Sequence, residues 1–112
     1  FLLHGKAGAC IAKDKFGIED EVILNAIRYH TTGRPAMTLL EKIVFVADYI
    51  EPNRKKADRL PELRRLAFEN LDEAVLQILE QTLDYLEKTG KQIDRQTMIT
   101  RDYYKKLLRS SE

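Results

Sequence analysis

Residues 38–49 read TLLEKIVFVADY, and whether this stretch is helix or strand decides the fold. The β-branched Ile43, Val44 and Val46 favour a strand. Two features oppose it. Thr38 and Glu41 stand in the capping-box spacing, in which a hydroxyl and a carboxylate three residues on satisfy each other's backbone N–H groups at a helix start. Leu39, Ile43 and Ala47 recur every four residues, which places them on one helical face. The stretch therefore predicts a helix, and its almost unbroken apolar character predicts the central, buried helix of a bundle. Pro35 and the turn before it set its near boundary.

The flanking sequence repeats the helical pattern. Upstream, Asp20 is an N-cap residue with Glu21 in the favourable first turn, and Ile23, Ala26, Ile27 and His30 share one face of a helix ending near Thr31-Thr32-Gly33. Earlier still, Leu3, Ala7, Cys10 and Ile11 recur at helical spacing up to about Lys13, and Gly17 breaks the pattern. That first segment opens on Phe1-Leu2-Leu3-His4 without a capping residue, like the interior of a helix, so a missing upstream part is expected. Downstream, Pro52 and Pro61 bracket a basic linker from Asn53 to Leu60, and a short helix runs through Leu63 and Leu66. A long helix follows from about Asp72 to Lys88, with Val75, Ile78, Leu79, Leu83 and Leu86 inward and Gly90 as its stop. A last helix is expected after Thr100, using Tyr103, Tyr104, Leu107 and Leu108. The predicted class is an all-α helical bundle, a single domain over residues 1–112.

Composition narrows the function. The apolar fraction of 44% and charged fraction of 33% are globular values. A net charge of +1 gives no argument for nucleic acid or a membrane surface as partner. Cys10 is the one cysteine, which rules out an internal disulfide and any Cys-based zinc motif and suits a reducing compartment, so a cytoplasmic location is expected. No apolar run approaches the roughly 20 residues that span a bilayer.

Asp48 follows Ile43–Ala47 and precedes Tyr49 and Ile50. An ionised carboxylate in such company costs several kcal/mol to bury unless it is paired, hydrogen-bonded or bound to a cation. Four roles stay open: a hydrogen-bonded or capping carboxylate, a salt bridge to an arginine, a metal ligand, or an exposed side chain. His30 and His4 both fall on apolar helical faces, where a histidine is either a satisfied core group or a ligand. Three such groups on successive helices can converge, and His with Asp, without Cys, suits iron, manganese or similar ions. After His30, the residues Thr31, Thr32, Gly33 and Arg34 offer hydroxyls and a guanidinium to an oxyanion, or simply end the helix. Arg54, ahead of Lys55 and Lys56, is the basic residue best placed near Asp48 to meet a phosphate, unless the run is simply a solvated linker. Tyr85, Tyr103 and Tyr104 read as core edges rather than as base-stacking platforms.

The segments LLHGKAGA, NAIRYHTTGR and TLLEKIVFVADYIEPNR, in this order and spacing, resemble the bacterial YqeK family, a branch of the HD-domain metal-dependent phosphohydrolases. The resemblance extends over essentially the whole chain and implies symmetrical hydrolysis of diadenosine tetraphosphate to two ADP. It implies a metal, typically iron, held by an upstream His, a His-Asp pair and the aspartate matching Asp48. It places His4, His30 and Thr31 in the same pocket, toward the phosphates or a second metal, and makes Arg54 a phosphate contact. The segment Lys91, Gln92, Ile93, Asp94, Arg95 and Gln96 takes the place of a loop near the nucleoside. The upstream His and the His-Asp pair have no counterpart here, so the chain is expected to be the C-terminal part of an HD domain, catalytically poor alone and prone to self-association. A noncatalytic helical module that binds nucleotide or another subunit is the alternative.

Overall fold

The structure, a computed structural model, describes residues 9–11, 13–17, 19–52 and 59–109. Among these residues there are helices and no strands. Residues 9–11 and 13–16 are helical, and five further helices follow: α1 (Glu21–Arg28), α2 (Leu39–Tyr49), α3 (Leu60–Glu69), α4 (Leu71–Lys88) and α5 (Arg95–Arg109). The helix expected at residues 38–49 is present and capped as its sequence implies. The Thr38 hydroxyl accepts the Glu41 N–H at 3.3 Å while a Glu41 carboxylate oxygen accepts the Thr38 N–H at 3.3 Å. At α1, the Asp20 carboxylate accepts the N–H groups of Val22 and Ile23. Asn70 caps α4 in the same manner, through Glu73 N–H.

The central helix is α4, and the expectation that α2 holds that place is corrected. Ala74, Val75 and Leu76 of α4 are completely buried, and Ile78 and Leu79 nearly so. These residues point in several directions around the helix, because α2, α3 and α5 all pack on α4. The core is completed by Phe45 and Val46 of α2, Leu63 of α3, Tyr104 of α5 and Met37 of the loop before α2. On α2 the buried positions are Glu41, Phe45 and Val46. The four-residue series that identified the helix, Leu39, Ile43 and Ala47, lies on its exposed side, with Leu39 at 64% and Ile43 at 47% exposure. Sequence periodicity locates an apolar stripe but not which stripe the fold covers, and α2 carries two.

Three smaller expectations also change. On α1 the fully buried residues are Leu24 and Ala26, whereas Ile23 is exposed. The last helix starts at Arg95 rather than after Thr100, because Asp94 opens it: its carboxylate accepts Gln96 N–H and its carbonyl accepts Thr97 N–H. Tyr104, read as a core edge, is fully buried, and Tyr85 is exposed.

Two anchors tie α5 to the loop between α1 and α2. The Tyr104 hydroxyl accepts the N–H of Met37 at 3.0 Å. Gly33, at φ 68°, lies against α5 so closely that an added Cβ would stand 2.9 Å from Thr100 Cγ2 and 3.4 Å from Met37 Cε. Gly90 has a similar φ of 69° with nothing near its missing Cβ. Both glycines avoid the left-handed strain of an L side chain, about 1–2 kcal/mol. Gly33 alone also avoids a clash. Gly33→Ala should therefore cost about 2–4 kcal/mol in urea unfolding and Gly90→Ala only about 1–2 kcal/mol, adding overpacking to strain; equal costs would show that the loop does not rest on Thr100.

Candidate functional site

The segment from Tyr29 to Thr38 carries the histidine, hydroxyls and guanidinium singled out by sequence. Helix α1 ends at its cap residue Tyr29, whose N–H bonds to Asn25 O, and Tyr29 O then accepts Gly33 N–H at 2.8 Å to close the turn. Within that turn, His30 Nδ1 lies 2.7 Å from Ile27 O. A carbonyl oxygen can only accept, so Nδ1 bears a proton. In a neutral ring this is the arrangement that presents Nε2 to a proton or a metal, the partner carbonyl fixing tautomer and ring orientation. His30 and Thr31 are both half-buried. Thr32 is buried, and its hydroxyl donates to Gly33 O.

Arg34 does not stand ready for an oxyanion, so of the two readings left open for residues 31–34 its place is that of the helix-ending turn. Its Nε and terminal nitrogen donate to the two oxygens of Glu41, each at 2.6 Å. The Arg34 guanidinium also lies 5.7 Å from the centre of the Tyr29 ring, within cation–π range. Glu41 has 1% of its side chain exposed, against 30% for Arg34. Burial works to raise the Glu41 pKa; the Arg34 hydrogen bond, with those from the Thr38 N–H and hydroxyl, outweighs it and holds the carboxyl below its ordinary value. Arg34 is raised in turn, chiefly by its hydrogen bond to Glu41. The Tyr104 hydroxyl is pushed up to about 12, first by burial.

Asp48 is exposed, on the last turn of α2. The apolar burial that raised the question of its role is thereby removed, and exposure is the one of the four roles left open by sequence that its placement shows. The end of α2 that carries it is fastened from two sides. Arg64 Nε and its terminal nitrogen donate to the carbonyls of Ile50 and Glu51, each at 3.0 Å, supplying partners that the last turn of a helix lacks. The Tyr49 hydroxyl donates to Gln81 Oε1 of α4 at 3.3 Å. At the other end of α2, Lys42 pairs with Asp72 at the start of α4. An exposed carboxylate on a fixed helix end is a donor that hard or borderline divalent cations accept. Among the described residues, however, no group of three or more His, Cys, Asp or Glu stands close enough to hold a metal ion. Asp48 can supply one ligand of such a centre, not a centre by itself.

His4 and Arg54 lie outside the described residues. The segment Lys91–Gln96 joins α4 to α5. Lys91 is exposed, its Nζ 5.2 Å over the Tyr85 ring and 3.3 Å from that hydroxyl. Gln92 and Arg95 are exposed, Ile93 and Gln96 half-buried, and Asp94 is engaged as the opening cap of α5. No helix among the described residues is long and apolar enough to cross a membrane.

Sequence reading missed three residues that hold this geometry. Glu41 was visible only as a cap, although a carboxylate among Leu39, Leu40 and Ile43 was itself a sign that a cation must face it. Arg64 and Tyr104 act on backbone groups of distant segments, which leaves no mark in local sequence.

Residues 1–53 match the HD domain. The chain is thus similar to HD-domain proteins, and its relatives include enzymes named for dinucleoside tetraphosphates. The symmetrical bis(5'-nucleosyl)-tetraphosphatase of Bacillus subtilis strain 168 is 46% identical over 88% of this chain and 53% of that protein. The protein of the same name from Halalkalibacterium halodurans is 46% identical over 88% of this chain and 52% of its own length. The crystal structure of a predicted HD superfamily hydrolase involved in NAD metabolism from Clostridium acetobutylicum superimposes with a TM-score of 0.89 at 44% identity, covering 93% of this chain and 55% of that one. The chain thus spans about half the length of the curated relatives it matches. HD-domain hydrolases generally depend on a divalent metal.

The Arg34–Glu41 pair is asymmetric, and its loss should be too. Arg34→Met strands a buried carboxylate and should cost about 3–5 kcal/mol, whereas Glu41→Gln keeps a capping side chain and leaves a partly solvated guanidinium, costing about 1–3 kcal/mol. Because the folded Glu41 pKa is lowered, its stabilisation is complete above the unfolded value near 4.3 and is lost as pH falls through the folded value. Urea midpoints should therefore show the gap between wild type and Glu41→Gln closing on acidification below about pH 4. A gap independent of pH would mean that the carboxylate is not held ionised.

Proposed function

We propose that the protein carrying this chain hydrolyses diadenosine tetraphosphate symmetrically to two ADP, using a divalent metal, with iron the first choice and manganese the second. The observation that supports this most is the 46% identity to two symmetrical tetraphosphatases over 88% of the chain, a span that necessarily includes His30, Thr31 and Asp48. The orientation of His30 agrees with it.

In this reading Asp48 is the metal ligand that this chain contributes beside donors outside the described residues. The bound metal supplies a water of lowered pKa and a positive charge for a phosphoryl oxygen. His30 and Thr31 face the phosphates from the end of α1, and His4 shares their pocket. His30, whose Nδ1 bonds to Ile27 O, takes a proton at Nε2 from the attacking water or passes one toward the leaving ADP. The water oxygen bonds to one inner phosphorus as the bond from that phosphorus to the central bridging oxygen breaks, so each half leaves as ADP. Arg54 meets developing phosphate charge, and the segment from Lys91 to Gln96 lies toward a nucleoside. The substrate is a small nucleotide, and a cytoplasmic site of action suits it.

A second reading, a helical module that binds nucleotide or another subunit without catalysis, has the exposed Leu39, Ile43 and Ala47 side of α2 in its favour.

The complete protein, given diadenosine tetraphosphate with iron or manganese, should release ADP as its nucleotide product. Asp48→Asn should lower kcat by about 100-fold or more and weaken metal binding in calorimetry by at least about tenfold. ATP with AMP as products would contradict symmetrical cleavage, and unaltered metal affinity in Asp48→Asn would remove Asp48 from the metal.

A further inference from the structure

We infer that Glu41 is a positioning residue for the catalytic turn, acting through Arg34 and Tyr29 to hold His30 and Thr31 in register. The inference rests on the reading of that turn given above.

The capping box alone does not account for Glu41. A carboxylate at that position needs only to reach back to the N-cap N–H, which it does while remaining at the surface in ordinary helices. Here it is buried, and both of its oxygens are directed to one guanidinium at 2.6 Å. Nor does stability explain the pair, since a buried ion pair is often no better than an apolar pair of the same volume. What it supplies is geometry. A bidentate fork fixes the direction of both partners, and the arginine held in it also covers the ring of Tyr29.

Tyr29 is the residue before His30. Its carbonyl closes the turn onto Gly33, and the His30 ring is aimed by its bond to Ile27 O one turn back. A shift of Tyr29 therefore rotates the His30 backbone and strains the bond that sets the imidazole tautomer. The loop also contains Ala36 at φ 54°, a left-handed conformation that a non-glycine residue adopts at a cost of about 1–2 kcal/mol. Contacts on both sides hold it there: the fork between Arg34 and Glu41, and the Met37 N–H on the Tyr104 hydroxyl. A loop kept in a costly conformation from both sides is one whose exact shape matters.

Two variants separate positioning from capping and from charge. Glu41→Gln keeps a side chain able to complete the capping box but loses the charged fork, and Arg34→Lys keeps the charge but cannot form the fork. In the complete protein, at a temperature where circular dichroism shows each variant folded, each should lower kcat by about 10- to 100-fold with KM within about twofold. The double variant should be no worse than about twofold below either single one, since both break the same link. Leu83→Ala, destabilised at a buried position of α4 and not among the residues that form or fork the turn, should keep its kcat within about twofold under the same conditions. A kcat near wild type in Glu41→Gln, or an equal loss in Leu83→Ala, would overturn the inference.

A second readout stands apart from the activity. In 15N spectra of the 112-residue chain, His30 should show the Nδ1-protonated tautomer, and Glu41→Gln should shift it toward a mixture. Unchanged His30 shifts in the variant would overturn the positioning role whether or not the tetraphosphate is hydrolysed. Absence of hydrolysis by the wild type, with the His30 shifts moved as expected, would remove the proposed reaction and leave the positioning role standing.

Discussion

The buried carboxylate of Glu41 is the constraint around which the functional half of this chain is arranged. Removing it from water carries a cost of several kcal/mol that must be met by hydrogen bonds. Arg34 supplies two and Thr38 two more, one from its N–H and one from its hydroxyl. The result is one knot joining the start of α2 to the loop before it, and through Tyr29 to the end of α1. The ionised state of Glu41 and the shape of the loop are thus one fact described twice, and His30 inherits its aim from it.

The second support comes from α4. Because α4 is covered by α2, α3 and α5, it fixes the positions of elements that meet the site from different directions. Its neighbour α5 holds the loop at Gly33 and Met37, while α3 sends Arg64 to the carbonyls at the end of α2 beyond Asp48. Each of these contacts acts on backbone rather than on a functional side chain. The candidate site residues are thus placed through the chain that carries them: His30 at the end of α1 and the exposed Asp48 on the last turn of α2.

Sequence disclosed the local features and missed the long-range ones. The caps at Asp20 and Thr38 were legible because a cap is a local pattern, and one inward stripe of α4 because Val75, Ile78, Leu79 and Leu83 recur at helical spacing, whereas Ala74 and Leu76, buried on a further side, were not. The placement of α2 was not, since its two apolar stripes are equivalent until something packs on one of them. His30 and Asp48 stand out in sequence as polar residues among apolar ones, yet Asp48 is exposed, because apolar sequence neighbours on a helix lie on other faces. For Arg34 the choice between an oxyanion contact and a helix-ending turn stayed open, because its partner lies seven residues on, beyond any local rule. Family resemblance supplied what periodicity could not, an expectation about which of these groups share a pocket.

A crystal structure of the complete protein with ADP and its metal tests the account most directly. The account predicts metal on Asp48, phosphate oxygens at His30 and Thr31, and Arg34 still forked onto Glu41. Phosphate bound to Arg34 with Glu41 released, or a metal with no contact to Asp48, would contradict it.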